Sequence, residues 1–131
     1  MDELIIETKP KNLSRVLAFV ESHTGALPKK SQYRINIAVD EIFTNISNYA
    51  YQNEPGIAVI RVAVNDAVTI EFEDSGVPYN PIAQTEPNLT QSAEERAPGG
   101  LGVFMTQKLM DTVEYRREGG KNILTLKKGV S

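Results

Sequence analysis

The stretch IAVIRVAVNDAVTIEFEDSG, residues 57–76, decides the fold. In its first half Ala58, Ile60, Val62 and Val64 alternate with Ile57, Val59, Arg61 and Ala63. In its second half Val68, Ile70 and Phe72 alternate with Thr69, Glu71 and Glu73. A side-chain period of two belongs to strands with one buried face. The polar pair Asn65-Asp66 between the two runs reads as a tight turn, so the stretch predicts a β-hairpin.

Working outward, the pattern changes on both sides. Towards the N-terminus, residues 28–51 carry apolar positions at helical spacing, opened by Pro28. Before them, LSRVLAFVESH (13–23) places Leu13, Val16, Leu17 and Val20 on one helical face, with Asn12 as its expected cap and Thr24-Gly25 as its stop. The apolar run Leu4 to Glu7 predicts a first strand. Towards the C-terminus, residues 81–98 are polar, proline-bearing and nearly free of aliphatic side chains, and read as a long loop. A glycine cluster then opens a helix running to about Asp111. A second hairpin flanks Glu118-Gly119-Gly120, with strands starting at Val113 and Asn122. The order β-α-α-β-β-loop-α-β-β predicts an α+β two-layer sandwich. Its sheet is mixed but mostly antiparallel, with helices on one face. It excludes a βαβ Rossmann unit.

The 131 residues suit one domain, 1–131, large enough to bury a core without disulfides. The net charge is −3 with no basic cluster, which disfavours a nucleic-acid surface. There is no cysteine, hence no thiol nucleophile and no Cys-zinc site. The N-terminus lacks the basic-then-apolar pattern of a secretion signal, and no apolar run reaches membrane-spanning length. The expectation is a cytoplasmic protein.

Three constellations carry chemistry. In AVDEIFTNISNYAY (38–51), Glu41, Asn45 and Asn48 share one helical stripe, beside the apolar arc of Ala38, Ile42, Ile46 and Tyr49. This is either a polar border on an amphipathic helix or a general base at Glu41 with an oxygen ligand for Mg²⁺ at Asn45. A single amide suits Mg²⁺, which takes most of its ligands from phosphates and water. In EFEDSGVPYNP (71–81), Asp74 ends a strand and Ser75-Gly76 turns the chain. Asp-x-Gly is ordinary turn chemistry; it also suits a carboxylate that accepts a hydrogen bond from an exocyclic amine, with Gly76 admitting a flat ring. In GGLGVFMTQKLMD (99–111), bare backbone N–H groups at a helix start make an anion site. Gly100 and Gly102 keep that backbone clear of side chains. Val103, Phe104, Leu109 and Met110 are the expected core contacts of that helix.

In this order the three parts resemble the GHKL ATP-binding superfamily of gyrase, histidine kinases and MutL. The resemblance is nearest to its stand-alone branch, the bacterial anti-sigma-factor serine/threonine kinases, and covers nearly the whole chain. Residues 38–51 resemble the branch's N box and 71–81 its G1 box. Residues 82–98 are similar to its ATP lid, and 99–111 to its G2 box. The resemblance implies a Bergerat-type fold that binds ATP and Mg²⁺. It implies Glu41 as catalytic base and Asn45 as Mg²⁺ ligand. Asp74 and Gly76 would meet adenine, Arg96 of the lid the terminal phosphate, and Gly100, Leu101 and Gly102 the phosphates. The branch phosphorylates an anti-anti-sigma (STAS) protein, alternately sequesters a sigma factor, and forms homodimers.

Two positions depart from the branch pattern. Tyr49 stands where some members have histidine, and Asn122 stands where a threonine near the adenine is common. Other readings are a nucleotide-dependent binding module without transfer, a fragment of a larger ATPase, and a histidine-kinase catalytic domain. In the last, ESHTGALP would supply His23 as phospho-acceptor; its plain alternative is a solvent-facing histidine near a helix end.

Overall fold

The first strand, β1 (Asp2–Glu7), is followed by helices α1 (Leu13–Thr24) and α2 (Lys29–Asn45). Strands β2 (Ile57–Val64) and β3 (Ala67–Asp74) come next, then β4 (Thr112–Glu118) and β5 (Lys121–Gly129). The computed structural model describes residues 1–51, 54–78 and 106–130; residues 106–109 are helical. The strands form one sheet in the order β1-β2-β3-β5-β4, and each of these pairings is antiparallel. The α+β sandwich foreseen above is the observed architecture.

Alternation sorts the two faces. Ala58, Ile60 and Val62 of β2 are buried, as are Val68, Ile70 and Phe72 of β3 and Leu124 and Leu126 of β5. Against them pack Val16 and Val20 of α1 and Ile35, Val39, Ile42 and Phe43 of α2, all buried. Each such Val, Ile, Leu or Phe side chain contributes about 1.5–3 kcal/mol on leaving water.

The other sheet face is charged. Glu3, Arg61 and Glu71 sit opposite one another across three strands. Arg61 donates to Glu3 (2.6 Å), Glu71 (2.9 Å) and Glu73 (3.1 Å), and Lys121 pairs with Glu73 (3.2 Å). The bonds it donates to Glu3, then to Glu73 and Glu71, outweigh partial burial and hold the Arg61 guanidinium more firmly protonated than usual. Burial pushes the Glu73 carboxyl up, but the bonds from Arg61 and Lys121 prevail and leave it below the usual range.

Both hairpin turns form where expected. Gly119 and Gly120 have φ of 60° and 77°. Positive φ at both centres is the type I′ form of a two-residue turn, which matches the strand twist and which glycine adopts without strain.

Two local expectations are corrected. Asn12 does not cap α1 with its side chain; its Nδ2 donates instead to the Glu7 carbonyl (2.9 Å), tying the end of β1 to the helix start. Tyr49 does not join the buried arc. Residues Ile46–Ala50 form a π-helical turn, whose i→i+5 bonding adds a residue per turn and breaks the 3.6-residue register. Tyr49 is thereby 37% exposed, and Ala50 is buried in its stead.

His23 is a clasp rather than a solvent-facing side chain. Its Nε2 lies 2.7 Å from Asp2 Oδ2, its Nδ1 lies 2.8 Å from the Phe19 carbonyl, and its ring meets the Phe19 ring edge-on. With both ring nitrogens engaged, nothing in its surroundings favours the phospho-acceptor reading. The bond to Asp2, then the Phe19 carbonyl, raises the imidazole above its ordinary 6.5. The bond to His23 lowers Asp2 below its ordinary 3.8. A raised imidazole stabilises the fold below pH 6.5 and loses that contribution as pH climbs through the folded value. A lowered carboxyl contributes above pH 3.8 and loses it on acidification. His23→Ala is therefore expected to flatten the stability-versus-pH curve just above pH 6.5, as read from urea midpoints across pH 5–8; an unchanged slope would remove the clasp.

Candidate functional site

The alternation that buries Val68, Ile70 and Phe72 continues to one more inward position, and that residue is Asp74. It is 6% exposed. A carboxylate placed so deep needs hydrogen bonds to offset its lost hydration. Its Oδ1 accepts from the Gly76 backbone N–H (2.9 Å) and from Asn122 Nδ2 (3.0 Å). Both bonds land on Oδ1, so Oδ2 is left for another donor. The second partner comes from the sheet: β5 lies beside β3, and Asn122 is the register partner of Asp74.

These groups line a narrow cleft of about 40 Å³ between α2 and the sheet. Its walls are largely apolar, with Ile42, Phe72 and Leu124 on facing sides, and its polar groups are Asn45, Asp74, Tyr115 and Asn122. A mostly apolar cleft with a few convergent polar groups is the usual form of a small-molecule site. Asn45 is 8% exposed, and its Nδ2 has no hydrogen-bond partner among the described residues. An unmade bond of this kind costs about 1–3 kcal/mol. That N–H group suits an acceptor such as a phosphate or water oxygen, while a metal would be held by the amide oxygen of the same side chain.

Glu41 lies one helical turn before Asn45 and is half-buried. Burial, and to a lesser extent the neighbouring Asp40 charge, raise its carboxyl above the ordinary 4.5. It is not part of the cavity wall but lies on the turn of α2 that precedes it.

Gly76 has a structural duty of its own. It is buried against the π-helical turn, and a Cβ there would fall inside the van der Waals envelope of the Ala50 carbonyl. The adjacent Val77 N–H donates to that same carbonyl (2.9 Å). Tyr51 adds a second stitch: its hydroxyl donates to the Ile57 carbonyl (2.8 Å) and accepts from the Ser75 N–H (2.9 Å). The end of α2 and the Asp74–Val77 loop are therefore held as one unit. Gly76→Ala is expected to cost about 1–3 kcal/mol by forcing the loop off the helix end. Chemical denaturation measures this, and a loss below about 0.5 kcal/mol, ordinary for a surface change, would show that the contact yields.

Of the residues singled out from sequence, Asn45 and Asp74 meet in one cavity, with Gly76 and Glu41 beside it. Arg96, Gly100, Leu101 and Gly102 lie outside the described residues, as do Val103 and Phe104. Met110 is buried in the core as expected, and Leu109 is half-buried. Sequence reasoning missed Tyr115 and Arg117. Tyr115 Oη donates to Asn122 Oδ1 (2.6 Å). Arg117 Nη1 donates to Asn122 Oδ1 (3.1 Å) and to the Gly76 carbonyl (2.9 Å). A signal for them existed: counting outward from the Gly119-Gly120 turn puts Arg117 opposite Asn122, with Tyr115 on the same face two residues on.

The family described as "Histidine kinase-like ATPase domain" matches residues 6–128, nearly the whole chain. The chain belongs to that family. Relatives within or near it include the "Serine/threonine-protein kinase BtrW" of Bordetella bronchiseptica, 29% identical over 72% of this chain and 68% of that protein. The "Anti-sigma F factor" of Caldanaerobacter subterraneus is 37% identical over 69% of this chain and 64% of its own length. The "Serine-protein kinase RsbW" of Bacillus pumilus is 28% identical over 95% of this chain and 83% of its own. The histidine kinase domain of the blue-light-activated kinase EL346 from Erythrobacter litoralis shares the fold. Its TM-score is 0.60 at 18% identity, over 95% of this chain and 62% of that one. Among the described residues of this histidine kinase-like ATPase domain, no helix is long and apolar enough to cross a membrane.

Proposed function

We propose that this chain is an ATP-dependent protein serine/threonine kinase acting as a cytoplasmic, homodimeric anti-sigma factor. It phosphorylates an anti-anti-sigma protein of the STAS type and alternately sequesters a sigma factor. The observation that carries the reading is the buried Asp74. It faces an apolar cavity with one carboxylate oxygen committed to Asn122 and Gly76, and the unpartnered Asn45 amide stands in the same wall. That arrangement suits an adenine amino group at Asp74 and a phosphate or water oxygen at Asn45 Nδ2, with Asn45 Oδ1 as the Mg²⁺ ligand. Family membership and the names of the relatives support the nucleotide and the kinase chemistry; the name "Anti-sigma F factor" supports the regulatory role.

In this reading Asp74 selects the base, and the apolar walls of Ile42, Phe72 and Leu124 exclude water from it. Bound Mg²⁺ would supply charge neutralisation on the phosphates, where positioning and electrostatics account for most of the catalysis. Arg96 and the Gly100–Gly102 backbone would contribute donors to the same oxygens. Glu41 takes the proton of the acceptor serine or threonine hydroxyl. Its raised carboxyl is a better proton acceptor than an ordinary glutamate once it is ionised.

The deciding experiment is recovery of the protein from its host with ATP and Mg²⁺ present, followed by mass identification of what travels with it. The captured partner is then incubated with labelled ATP. Recovery of a STAS protein that gains acid-stable label is the expected outcome. Acid-labile label would point to phosphohistidine and a histidine kinase. A partner retained without label would point to a binding module.

A further inference from the structure

We propose that Arg117, assisted by Tyr115, sets the base specificity of the cavity by locking the Asn122 amide, and that Asn122 positions Asp74 instead of touching the base. The inference rests on the reading of Asp74 as the base-recognition residue. It concerns what holds that carboxylate in one hydrogen-bonding state.

The Asn122 side chain has two acceptor sites on Oδ1 and two N–H donors on Nδ2. All four are used. Oδ1 accepts from Tyr115 Oη (2.6 Å) and Arg117 Nη1 (3.1 Å). Nδ2 donates to Asp74 Oδ1 (3.0 Å) and to the Val77 carbonyl (2.8 Å). A side chain so engaged has no capacity left for a base.

The orientation of an asparagine amide is normally ambiguous, because its oxygen and nitrogen are nearly alike in shape. Here it is fixed by chemistry. A guanidinium can only donate and a backbone carbonyl can only accept. Arg117 therefore requires the oxygen on its side, and Val77 requires the nitrogen on the other. The Val77 carbonyl and the Asp74 carboxylate favour the same orientation; Arg117 reinforces it with a donor-only group on the oxygen side, which a tyrosine hydroxyl, able to donate or accept, would not do alone. The consequence falls on Asp74. Its Oδ1 is filled by two donors, Asn122 Nδ2 and the Gly76 N–H, and Oδ2 is left as an acceptor. The cavity then prefers a ring bearing an amino group over one bearing an oxo group at that place.

Arg117 can perform this duty from an exposed edge strand because it is the register partner of Asn122 across β4 and β5. Its second bond, to the Gly76 carbonyl (2.9 Å), fixes the loop that supplies the other donor to Asp74. One guanidinium thus braces both groups that orient the carboxylate.

The test compares ATP with inosine triphosphate, which replaces the amino group of the ring by an oxo group. Both are titrated by calorimetry onto the full chain and its Arg117→Ala and Arg117→Lys variants. The wild type is expected to prefer ATP. Arg117→Ala is expected to weaken ATP by about fivefold, the size of one net hydrogen bond, and to leave inosine triphosphate unchanged. Arg117→Lys, which keeps a donor-only cation but not the planar Nη1 group that spans Asn122 and Gly76, is expected to recover part of the preference. A second readout needs no nucleotide: the Asn122 side-chain amide protons, followed by ¹⁵N NMR, should exchange with water faster in Arg117→Ala. Equal losses for both nucleotides, or an unchanged preference, would overturn the specificity role while leaving the site itself intact. Unchanged amide exchange would overturn the lock. A wild type without preference for ATP would instead remove the base-recognition reading, and this inference with it.

Discussion

Replacing Glu41 by alanine is expected to lower phosphoryl transfer to a STAS substrate by about 10²- to 10⁴-fold, the usual contribution of a positioned general base, with ATP affinity kept within about twofold. The separation of the two effects follows from position. Glu41 borders the cavity without lining it, while Asn45, one turn later, is in the wall. Single-turnover transfer measured beside equilibrium nucleotide binding tests the role, and transfer at the wild-type rate would refute it. The pH profile adds an independent check. The folded carboxyl is raised above 4.5 by burial and by Asp40, and the base must be ionised. The acidic limb of the rate should therefore stand at higher pH than for an ordinary glutamate. The same shift bears on stability with a definite sign. Between 4.5 and the folded value the native state binds more protons than the unfolded chain, so raising the pH through that window lowers stability. Glu41→Gln should be free of this dependence, and a parallel curve for the two proteins would contradict the cause assigned to the shift.

Asp74→Asn is expected to weaken ATP binding by about 10- to 100-fold, the range for a hydrogen bond to a charged group, with the fold retained. The fold survives because an amide oxygen can still accept from Asn122 Nδ2 and the Gly76 N–H. Those two donors hold the oxygen of the new amide on their side. Its NH₂ then occupies the place of Oδ2 and confronts the amino group of the base with a second donor. The loss is thus a matter of hydrogen-bond polarity and not of shape, which is why the isosteric change is the informative one. Calorimetric titration with ATP, alongside circular dichroism to verify folding, measures it. An unchanged dissociation constant would refute the assignment of Asp74 to the base.

The two carboxylates differ in how legible they were. Asp74 could be singled out because the alternation Val68, Ile70, Phe72 runs on into it, so a charged residue takes an inward position at a strand end. Helical spacing placed Glu41 and Asn45 on one stripe, because α2 is regular over Lys29–Asn45, but it left a plain amphipathic border equally open; their roles came only with the resemblance. Where regularity stops, so did the reading. Tyr49 was assigned to the buried arc by extrapolating a 3.6-residue period across Ile46–Ala50, where the helix widens to a π turn. Asn122 looked like an approximate substitute for a base-contacting threonine. Its four filled hydrogen-bond positions make it a support for Asp74, and no linear pattern reveals how many bonds a side chain has already made. Gly76 was read as room for a ring, whereas its bare Cα first makes room for the Ala50 carbonyl.

By itself the sequence determined the elements and their inward faces, because the periods of two and 3.6 residues are local consequences of backbone geometry. It also determined both hairpins, since Asn65-Asp66 and Gly119-Gly120 fix strand pairing within a few residues of chain. Only the tertiary structure decided that β5, and not β4, lies against β3. That adjacency joins positions 48 residues apart and depends on how two separate hairpins share one buried face under α1 and α2. From it follow the pairing of Asp74 with Asn122, the bracing by Tyr115 and Arg117, and a carboxylate held ready to accept one more hydrogen bond.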